Sequence, residues 1–326
     1  MNKKNSNLKI SVVAPSESFS KIVGIKRLAE DRIIKEFGAE ILYGNNIMEV
    51  DLLGSSPINL RINDLHEAFK NKDVDIVICA TGGYNSIDLL PHIDWDIIKN
   101  NPKPFIGSSD ITVLINAIYA KTDVITYYGP NYFKFGMKYN FEYTIDLFRK
   151  CFLSTNEYKI TPSIKWSEDK WYRKQEEREF KINTGYTVLR AGKGTGRIIG
   201  GNLCSLNLLQ GTEYMPSLEN AVLFIEDDDL AAEDTFGEFY RNLQSLLQQP
   251  GANKIQSLII GRFLSRSNID LEKIKYILDN CIKDKKIPII ANVDFGHTDP
   301  SAFFPIGGTA EVCANEEGHE IRIIKH

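Results

Sequence analysis

Strand and helix signals alternate along the first half of the chain, and this alternation limits the fold more than any other feature of the sequence. Strands are predicted at residues 9–14, 40–43, 75–80, 104–107 and 124–128. Helices are predicted at residues 25–37, 60–70, 111–121 and 143–153. Strands such as residues 74–80 are almost continuously apolar, which is typical of a parallel sheet covered on both faces. The pattern predicts a doubly wound, mostly parallel α/β domain over residues 1–155, with ligands at the carboxyl ends of its strands.

The second half predicts a smaller, mixed α/β domain with β-rich parts over residues 185–326. Strands are predicted at residues 221–226, 255–260 and 287–293, helices at 203–209, 236–247 and 271–282, and a terminal hairpin at 309–314 and 320–324. The glycine-rich run from Gly192 to Arg197 lacks the G-K-[ST] ending of a phosphate-binding loop. We therefore interpret its glycines as the β-rich entry to the second domain.

Residues 156–184 are polar, charged and aromatic, and they fit neither the helical nor the strand period. This segment is predicted to be a linker and a long, partly exposed substrate loop. Its Trp166 and Trp171 either form a binding surface or anchor the loop to the domain beneath it. The sequence leaves both interpretations open.

The composition excludes several classes of partner. With 326 residues, 43% of them hydrophobic and 25% charged, the chain is predicted to form two domains of ordinary size, each with a hydrophobic core. A net charge of −4 provides no electrostatic footprint for nucleic acid. Lys3 and Lys4 precede an apolar run that stops at Pro15, too short for a signal peptide or a membrane span. An odd, dispersed set of cysteines predicts reduced thiols and a cytoplasmic location: Cys79, Cys151, Cys204, Cys281 and Cys313.

Ser109 lies where an apolar strand turns directly into a periodic helix. Helical spacing relates the apolar residues that follow it: Ile111, Leu114, Ile115, Ile118 and Tyr119. At such a turn the backbone N–H groups of the helix N-terminus are unpaired, and hydrolases place an exposed nucleophilic serine there. The alternative is that Ser109 or Ser108 is only an N-cap, with Asp110 favourable in the first turn.

A nucleophilic serine needs a base and a group that orients the base. Of the five histidines, only His297 follows a buried strand and has a glycine beside it. Glu226 ends the apolar strand at 221–226, where a carboxylate needs a partner. The acidic run continues through residues 227–229, so a solvated strand end or a metal site are alternatives. No H-x-x-x-H or C-x-x-C spacing supports a metal, and none is predicted.

Several segments, taken in their order and spacing, resemble the serine LD-carboxypeptidase family, which includes the microcin C self-immunity peptidases. The matching segments run through most of the chain: residues 81–86, 89–91, 106–112, 128–130, 200–203, 223–226 and 294–298. Ile111 stands two residues after the serine, where an ordinary α/β-hydrolase has glycine. The family shares this departure.

The resemblance implies a role for each of these residues. Ser109 would be the nucleophile, His297 the base and Glu226 the carboxylate that orients it, with the serine on the first domain and the other two on the second. The backbone N–H groups of Asp110 and Gly83 would form the oxyanion hole. Tyr84, Asn85 and Asn202 lie in the matching segments and are candidates for substrate binding. Trp171, in the loop over residues 156–184, is a further candidate because Tyr172 and Arg173 beside it add a second ring and a guanidinium.

The implied activity is that of a serine carboxypeptidase that releases a C-terminal D-amino acid from a murein tetrapeptide, where it is attached to diaminopimelate or lysine. One alternative is a self-immunity hydrolase that cleaves a peptidyl- or aminoacyl-nucleotide antibiotic of the microcin C type. Another is a non-catalytic muropeptide-binding protein. The resemblance also implies a small peptide or peptidyl-nucleotide substrate, no cofactor, no nucleic-acid or membrane partner, and a homodimer.

Overall fold

A computed structural model describes residues 7–282 and 286–326, so Lys3 and Lys4 lie outside the described residues. The strands of the first half are β1 (Lys9–Val13), β2 (Glu40–Tyr43), β3 (Ile76–Cys79), β4 (Phe105–Gly107) and β5 (Thr126–Tyr128). Its helices are α1 (Lys26–Phe37), α2 (Ile58–Lys70), α3 (Trp95–Asn100), α4 (Thr112–Thr122) and α5 (Glu142–Phe152).

The remaining strands are β6 (Tyr158–Ile160), β7 (Lys165–Trp166), β8 (Lys181–Ile182), β9 (Thr187–Arg190), β10 (Gly192–Asn202), β11 (Ala221–Glu226), β12 (Ser257–Gly261), β13 (Ile289–Val293), β14 (Phe304–Ile306), β15 (Thr309–Asn315) and β16 (Gly318–Lys325). The remaining helices are α6 (Leu203–Asn207), α7 (Thr235–Leu247) and α8 (Leu271–Cys281).

The first sheet has the strand order β14-β5-β4-β3-β1-β2. β1 to β5 pair in parallel, and every residue of β3 is buried, as its apolar sequence predicts. The doubly wound, mostly parallel first half is therefore confirmed. β14 was not predicted, because it comes from the far end of the chain and pairs antiparallel with β5. The chain reverses its direction across this sheet between β1 and β3, where such folds open a ligand crevice.

The second sheet has the strand order β6-β16-β15-β10-β11-β12-β13-β9. β10 to β13 are parallel, and antiparallel strands complete both edges, which confirms the mixed α/β prediction. The glycine-rich run is part of β10. A Cβ at Gly194 would lie 2.1 Å from the Gln256 carbonyl oxygen, so close packing of the backbone requires glycine here.

The segment predicted as a linker and loop is more regular than its sequence suggests. It supplies β6 to the edge of the second sheet and forms a two-stranded sheet from β7 and β8. Ser167 and Asp299 exchange two backbone hydrogen bonds, of 2.8 and 2.9 Å. The loop is therefore attached to the segment that follows His297.

Helix α4 connects the two sheets at the point where the strands end. The Asn116 side chain donates to the Gly200 carbonyl oxygen at 2.8 Å, and the Asn202 N–H donates to Thr112 Oγ1 at 3.0 Å. Gly200 and Gly201 have positive φ, and a Cβ at Gly201 would lie 2.6 Å from Thr112 Oγ1. This contact brings the turn before α4 to the ends of β10 and β11.

None of the described helices combines the length and apolar content needed to cross a membrane. All five cysteines are free thiols.

Candidate active site

Ser109 occupies a strained turn between β4 and α4. Its φ is +61°, a left-handed conformation that is uncommon for a residue other than glycine and costs on the order of 1–3 kcal/mol. A Cβ at Gly107 would lie 2.4 Å from Ile111, so a larger residue could not precede the turn. Ser109 lines the pocket described below. The predicted strand-to-helix position of this serine is confirmed.

The side chain of Asp110 holds this turn in place through two hydrogen bonds. Its buried carboxylate accepts hydrogen bonds from Ser16 Oγ at 2.6 Å and from the Ser86 N–H at 2.9 Å. Ser108 makes no side-chain cap bond; instead its Oγ accepts from Asn131 Nδ2 at 3.1 Å. Ser108 therefore stands at the start of the helical turn without capping it, and Ser109 lies inside that turn, so neither serine acts as the predicted N-cap.

His297 meets both of its predicted partners. Its Nε2 lies 3.3 Å from Ser109 Oγ, and its Nδ1 lies 2.8 Å from Glu226 Oε2. These residues are 188 and 71 positions from the histidine in sequence. The order hydroxyl, imidazole, carboxylate is the arrangement in which a histidine can take a serine proton while the acid holds its tautomer.

Glu226 is buried at the end of β11, and both of its oxygens are engaged. Oε2 faces His297, while Oε1 accepts a hydrogen bond from the Tyr128 hydroxyl at 2.8 Å. Gly296 has a φ of +100°, and a Cβ there would lie 2.6 Å from Glu226 Oε2. Sequence reasoning gave Tyr128 no role, although residues 128–130 were among the matching segments. The contact is visible only in the structure, where Tyr128 at the end of β5 lies next to Glu226 at the end of β11.

The electrostatics of Glu226 and His297 are coupled. Burial opposes the charge on Glu226, but the adjacent imidazole and the hydrogen bonds from His297 and Tyr128 keep the pKa of this carboxyl below its ordinary value. Burial also lowers the pKa of His297. The charge and hydrogen bond of Glu226 together outweigh it, so the pKa of His297 is raised overall.

The residues proposed for the oxyanion hole lie beside Ser109. Gly83 and Asp110 both line the pocket. Gly83 has a φ of +152°, and a Cβ there would lie 2.2 Å from Ser16 Oγ, so this position requires glycine. No acceptor among the described residues takes the Gly83 N–H. The oxyanion role of these two amides stays a prediction.

A pocket of about 580 Å³ opens over the Ser109 hydroxyl and the His297 ring. Its lining includes the aromatic side chains of Tyr84, Phe133 and Tyr172. Tyr84 is 67% exposed and Tyr172 is 47% exposed, so both rings are available to a ligand. The volume is in the range of small-molecule sites.

Three of the four predicted substrate-binding residues do not line this pocket, and only Tyr84 does. Asn85 is buried and accepts a hydrogen bond from Ser55 Oγ at 2.9 Å. Asn202 is fully buried and caps α6 by accepting from the Ser205 N–H at 3.0 Å. Neither asparagine lines the pocket, so their contact with substrate has no support from the geometry and stays a prediction.

Trp171 does not line the pocket either. It is 2% exposed and stacks on Phe133, with ring centroids 5.6 Å apart and an interplanar angle of 15°. Trp166 lies outside the pocket lining and packs against Arg262, whose guanidinium carbon is 4.6 Å from its ring centroid. Both tryptophans anchor the loop. Tyr172, next to Trp171 in sequence, is the loop aromatic that faces the pocket.

Within the described part of the chain, one group of side chains is close enough to share a metal ion. The possible ligand atoms of Cys204, Asp227 and Asp228 lie within 4.8 Å of one another. Burial, with the nearby carboxylates of Glu226 and Asp228, raises the pKa of Asp227 to about 7. The group contains none of Ser109, Glu226 and His297.

Comparisons with known proteins cover nearly the whole chain. A family model described as the LD-carboxypeptidase N-terminal domain matches residues 10–129, and one described as the LD-carboxypeptidase C-terminal domain matches residues 195–312. The "Putative carboxypeptidase YocD" of Bacillus subtilis is 40% identical over 317 residues, which cover 97% of each chain.

Solved structures are similar over the same extent. An MccF-like protein from Bacillus anthracis has a TM-score of 0.97 and 42% identity, with 100% of this chain and 99% of that chain covered. The microcin C7 self-immunity protein MccF, in complex with aspartyl sulfamoyl adenosine, has a TM-score of 0.85 and 27% identity, with 99% and 97% covered.

Proposed function

Since the chain belongs to the LD-carboxypeptidase family, a family of enzymes that also takes in the MccF-type immunity proteins, we propose that it is a serine carboxypeptidase that releases a C-terminal D-amino acid from murein tetrapeptides. The observation that carries the proposal is the continuous contact from Ser109 through His297 to Glu226 at the floor of an open pocket. A binding protein without catalysis would have no need for this arrangement.

In the proposed reaction, Ser109 Oγ attacks the carbonyl carbon of the amide bond while His297 Nε2 takes the hydroxyl proton. The N–H groups of Gly83 and Asp110 stabilise the oxyanion, each by about 3 kcal/mol. His297 then gives its proton to the amine of the departing D-amino acid, and an acyl-enzyme remains. Water, deprotonated by His297, hydrolyses that ester and restores Ser109.

Glu226 contributes by holding the proton of His297 on Nδ1, so that Nε2 faces the serine as the acceptor. Tyr128 fixes the second oxygen of Glu226 and thereby its orientation. No step of this cycle requires a metal ion or an organic cofactor.

The direct test is incubation with the murein tetrapeptide, with the products identified by mass spectrometry. The expected products are the tripeptide and free D-alanine. The diastereomer that ends in L-alanine is the matched substrate control, and it should remain intact. An uncleaved tetrapeptide under conditions in which the protein reacts with a fluorophosphonate would contradict the proposed substrate.

A second candidate is hydrolysis of a peptidyl- or aminoacyl-nucleotide of the microcin C type. The rings of Tyr84, Phe133 and Tyr172 line the pocket and offer faces on which a base could stack. A relative of the same fold was solved with aspartyl sulfamoyl adenosine. Incubation with that compound and with the tetrapeptide, under identical conditions, separates the two candidates. The cytoplasmic location, the homodimer and the domain boundaries at residues 155 and 185 stay predictions.

A further inference from the structure

One wall of the pocket is acidic, and part of its negative charge has no paired cation among the described residues. Asp228 and Asp229 both line it, directly after the strand that ends in Glu226. Within the described residues, no Lys, Arg or His nitrogen lies within 4.0 Å of the Asp228 oxygens, and Asp228 Oδ1 accepts only the Leu230 N–H, at 2.9 Å. The cation beside Asp229 is Arg266, at 3.9 Å.

Asp227, the residue before these two acids, is buried. It is 5% exposed, and its Oδ2 is enclosed without a hydrogen-bond partner. Its carboxylate is within 4.8 Å of the Asp228 carboxylate. Burial and the neighbouring carboxylates make a charge on Asp227 costly and raise its pKa to about 7, and a cation bound at Asp228 would lower that cost.

Lys134 and Glu17, two further charged residues of the lining, are already paired within the protein. Lys134 is the one Lys or Arg among the described lining residues, and its Nζ is held by Asp299 at 2.6 Å. Glu17, a further lining carboxylate, is paired with Lys21 at 2.6 Å. Asp228 and His297 line the same pocket, and the charge of Asp228 contributes to the raised pKa of His297.

We propose that Asp228 and Asp229 form a cation subsite that binds the side-chain ammonium of a diamino acid on the acyl side of the scissile bond. For peptide substrates the inference rests on the proposed function, because in a murein tetrapeptide that acyl residue is diaminopimelate or lysine. An ammonium would supply hydrogen-bond donors and positive charge to a wall that has only acceptors. An acidic acyl residue would be repelled by the same wall.

The test compares acyl residues that differ in one group. N-acetylated peptides ending in X-D-Ala, and N-acetyl-X p-nitrophenyl esters, are prepared with X as lysine, norleucine or glutamate. Norleucine has the lysine side chain without the ammonium. For the wild type we expect kcat/KM for lysine to exceed that for norleucine about tenfold or more, because norleucine cannot make the charge-assisted hydrogen bond. The value for glutamate should be the lowest of the three.

The readout in each variant is the lysine-to-norleucine ratio, which cancels any common effect on His297. In Asp228→Asn the ratio should fall toward one, and Asp228→Lys should reverse the order of lysine and glutamate. Glu233→Gln is the matched control, because Glu233 is an exposed acid of the same segment outside the pocket lining, and its ratio should equal that of the wild type.

Two results would overturn the subsite. One is a wild-type ratio near one in both the peptide and the ester series. The other is a rate that is lost in EDTA and restored by Zn²⁺, since Cys204, Asp227 and Asp228 would then hold a metal. If the peptides are not cleaved while the esters keep the lysine preference, the proposed function fails and the cation subsite stands.

Discussion

The turn that carries Ser109 and the loop over residues 156–184 are both predicted from the sequence to face the substrate, and the structure treats them differently. Ser109 projects into the pocket at a φ of +61°. In the loop, Trp171 is buried against Phe133, and the exposed neighbour Tyr172 lines the pocket instead. The comparison shows which sequence features predict the direction of a side chain and which do not.

The turn is determined by residues that are close together in sequence. A buried strand, a glycine, two serines and an apolar helix within ten positions leave few conformations for Ser109. The loop is positioned by distant partners, such as the backbone pairing of Ser167 with Asp299. A tryptophan supplies a large apolar surface whether it faces a ligand or the core, so its residue type does not decide between them.

The largest expected effect concerns the identity of the nucleophile. Ser109→Ala should lower kcat/KM by at least about 10⁴-fold, because it removes the attacking oxygen. Ser108→Ala should keep most of the activity, since it removes only the contact with Asn131. Circular dichroism and thermal unfolding of both variants check that the fold is intact. If Ser108→Ala were inactive and Ser109→Ala were active, the assignment of Ser109 as the nucleophile would be wrong.

The second prediction tests whether the contacts act as one unit. His297→Ala should be about as damaging as Ser109→Ala, and the double variant should be little worse than either, because members of such a set share one mechanism. Kinetic measurement of the two single variants and the double variant gives the coupling. Losses that simply multiply would argue for two independent contributions.

The third prediction uses the coupling of Glu226 to His297. Glu226→Gln removes the charge that raises the pKa of His297, while an amide oxygen can still accept from Nδ1. The rate should fall by roughly 10³–10⁴-fold, by analogy with the loss of the orienting carboxylate in a Ser-His-Asp triad.

The pH dependence of the rate tests the same coupling. His297 acts as a base in its neutral form, so activity rises with pH through its pKa. The acid limb of kcat/KM should lie above the ordinary histidine value of about 6.5 in the wild type and move to lower pH in the variant. An unmoved limb would mean that another group titrates.

Sequence reasoning predicted most of the fold and the three residues that meet in the Ser109–His297–Glu226 contact, and its failures have a common cause. Strands at residues 40–43 and 221–226 coincide with β2 and β11, because their apolar patterns are local. β14 was missed, since its three residues become a strand only by pairing with β5. Tyr128 was missed because it reaches Glu226, 98 positions away, only where the two sheets meet. Asn85 and Asn202 have the residue type of a binding site, yet both side chains are buried and neither lines the pocket.

The fourth prediction sharpens the interpretation of Trp171 as an anchor. Trp171→Ala removes a buried ring and should lower the free energy of unfolding by about 3–5 kcal/mol. The loss of activity should be the same for the tetrapeptide and for aspartyl sulfamoyl adenosine, because a displaced loop affects both. Denaturant unfolding and parallel kinetics measure this. Full stability with a selective loss of nucleotide turnover would restore Trp171 as a binding residue.

The smallest effect is expected at Tyr172, and it is the one that separates the candidate substrates. Its ring lines the pocket and is 47% exposed, so Tyr172→Ala should leave the free energy of unfolding nearly unchanged. If a nucleotide base stacks on this ring, its removal should weaken binding of aspartyl sulfamoyl adenosine by about 1–3 kcal/mol, as in other base–aromatic contacts. Tetrapeptide turnover should hardly change, because a stem peptide has no base to stack.

Calorimetric titration of Ser109→Ala protein, with and without Tyr172→Ala, measures binding without turnover. Tyr172→Phe is the matched control, since it keeps the ring and loses only the hydroxyl. Equal affinity in all three proteins would remove the main structural support for a nucleotide substrate and leave murein peptide cleavage as the better supported activity.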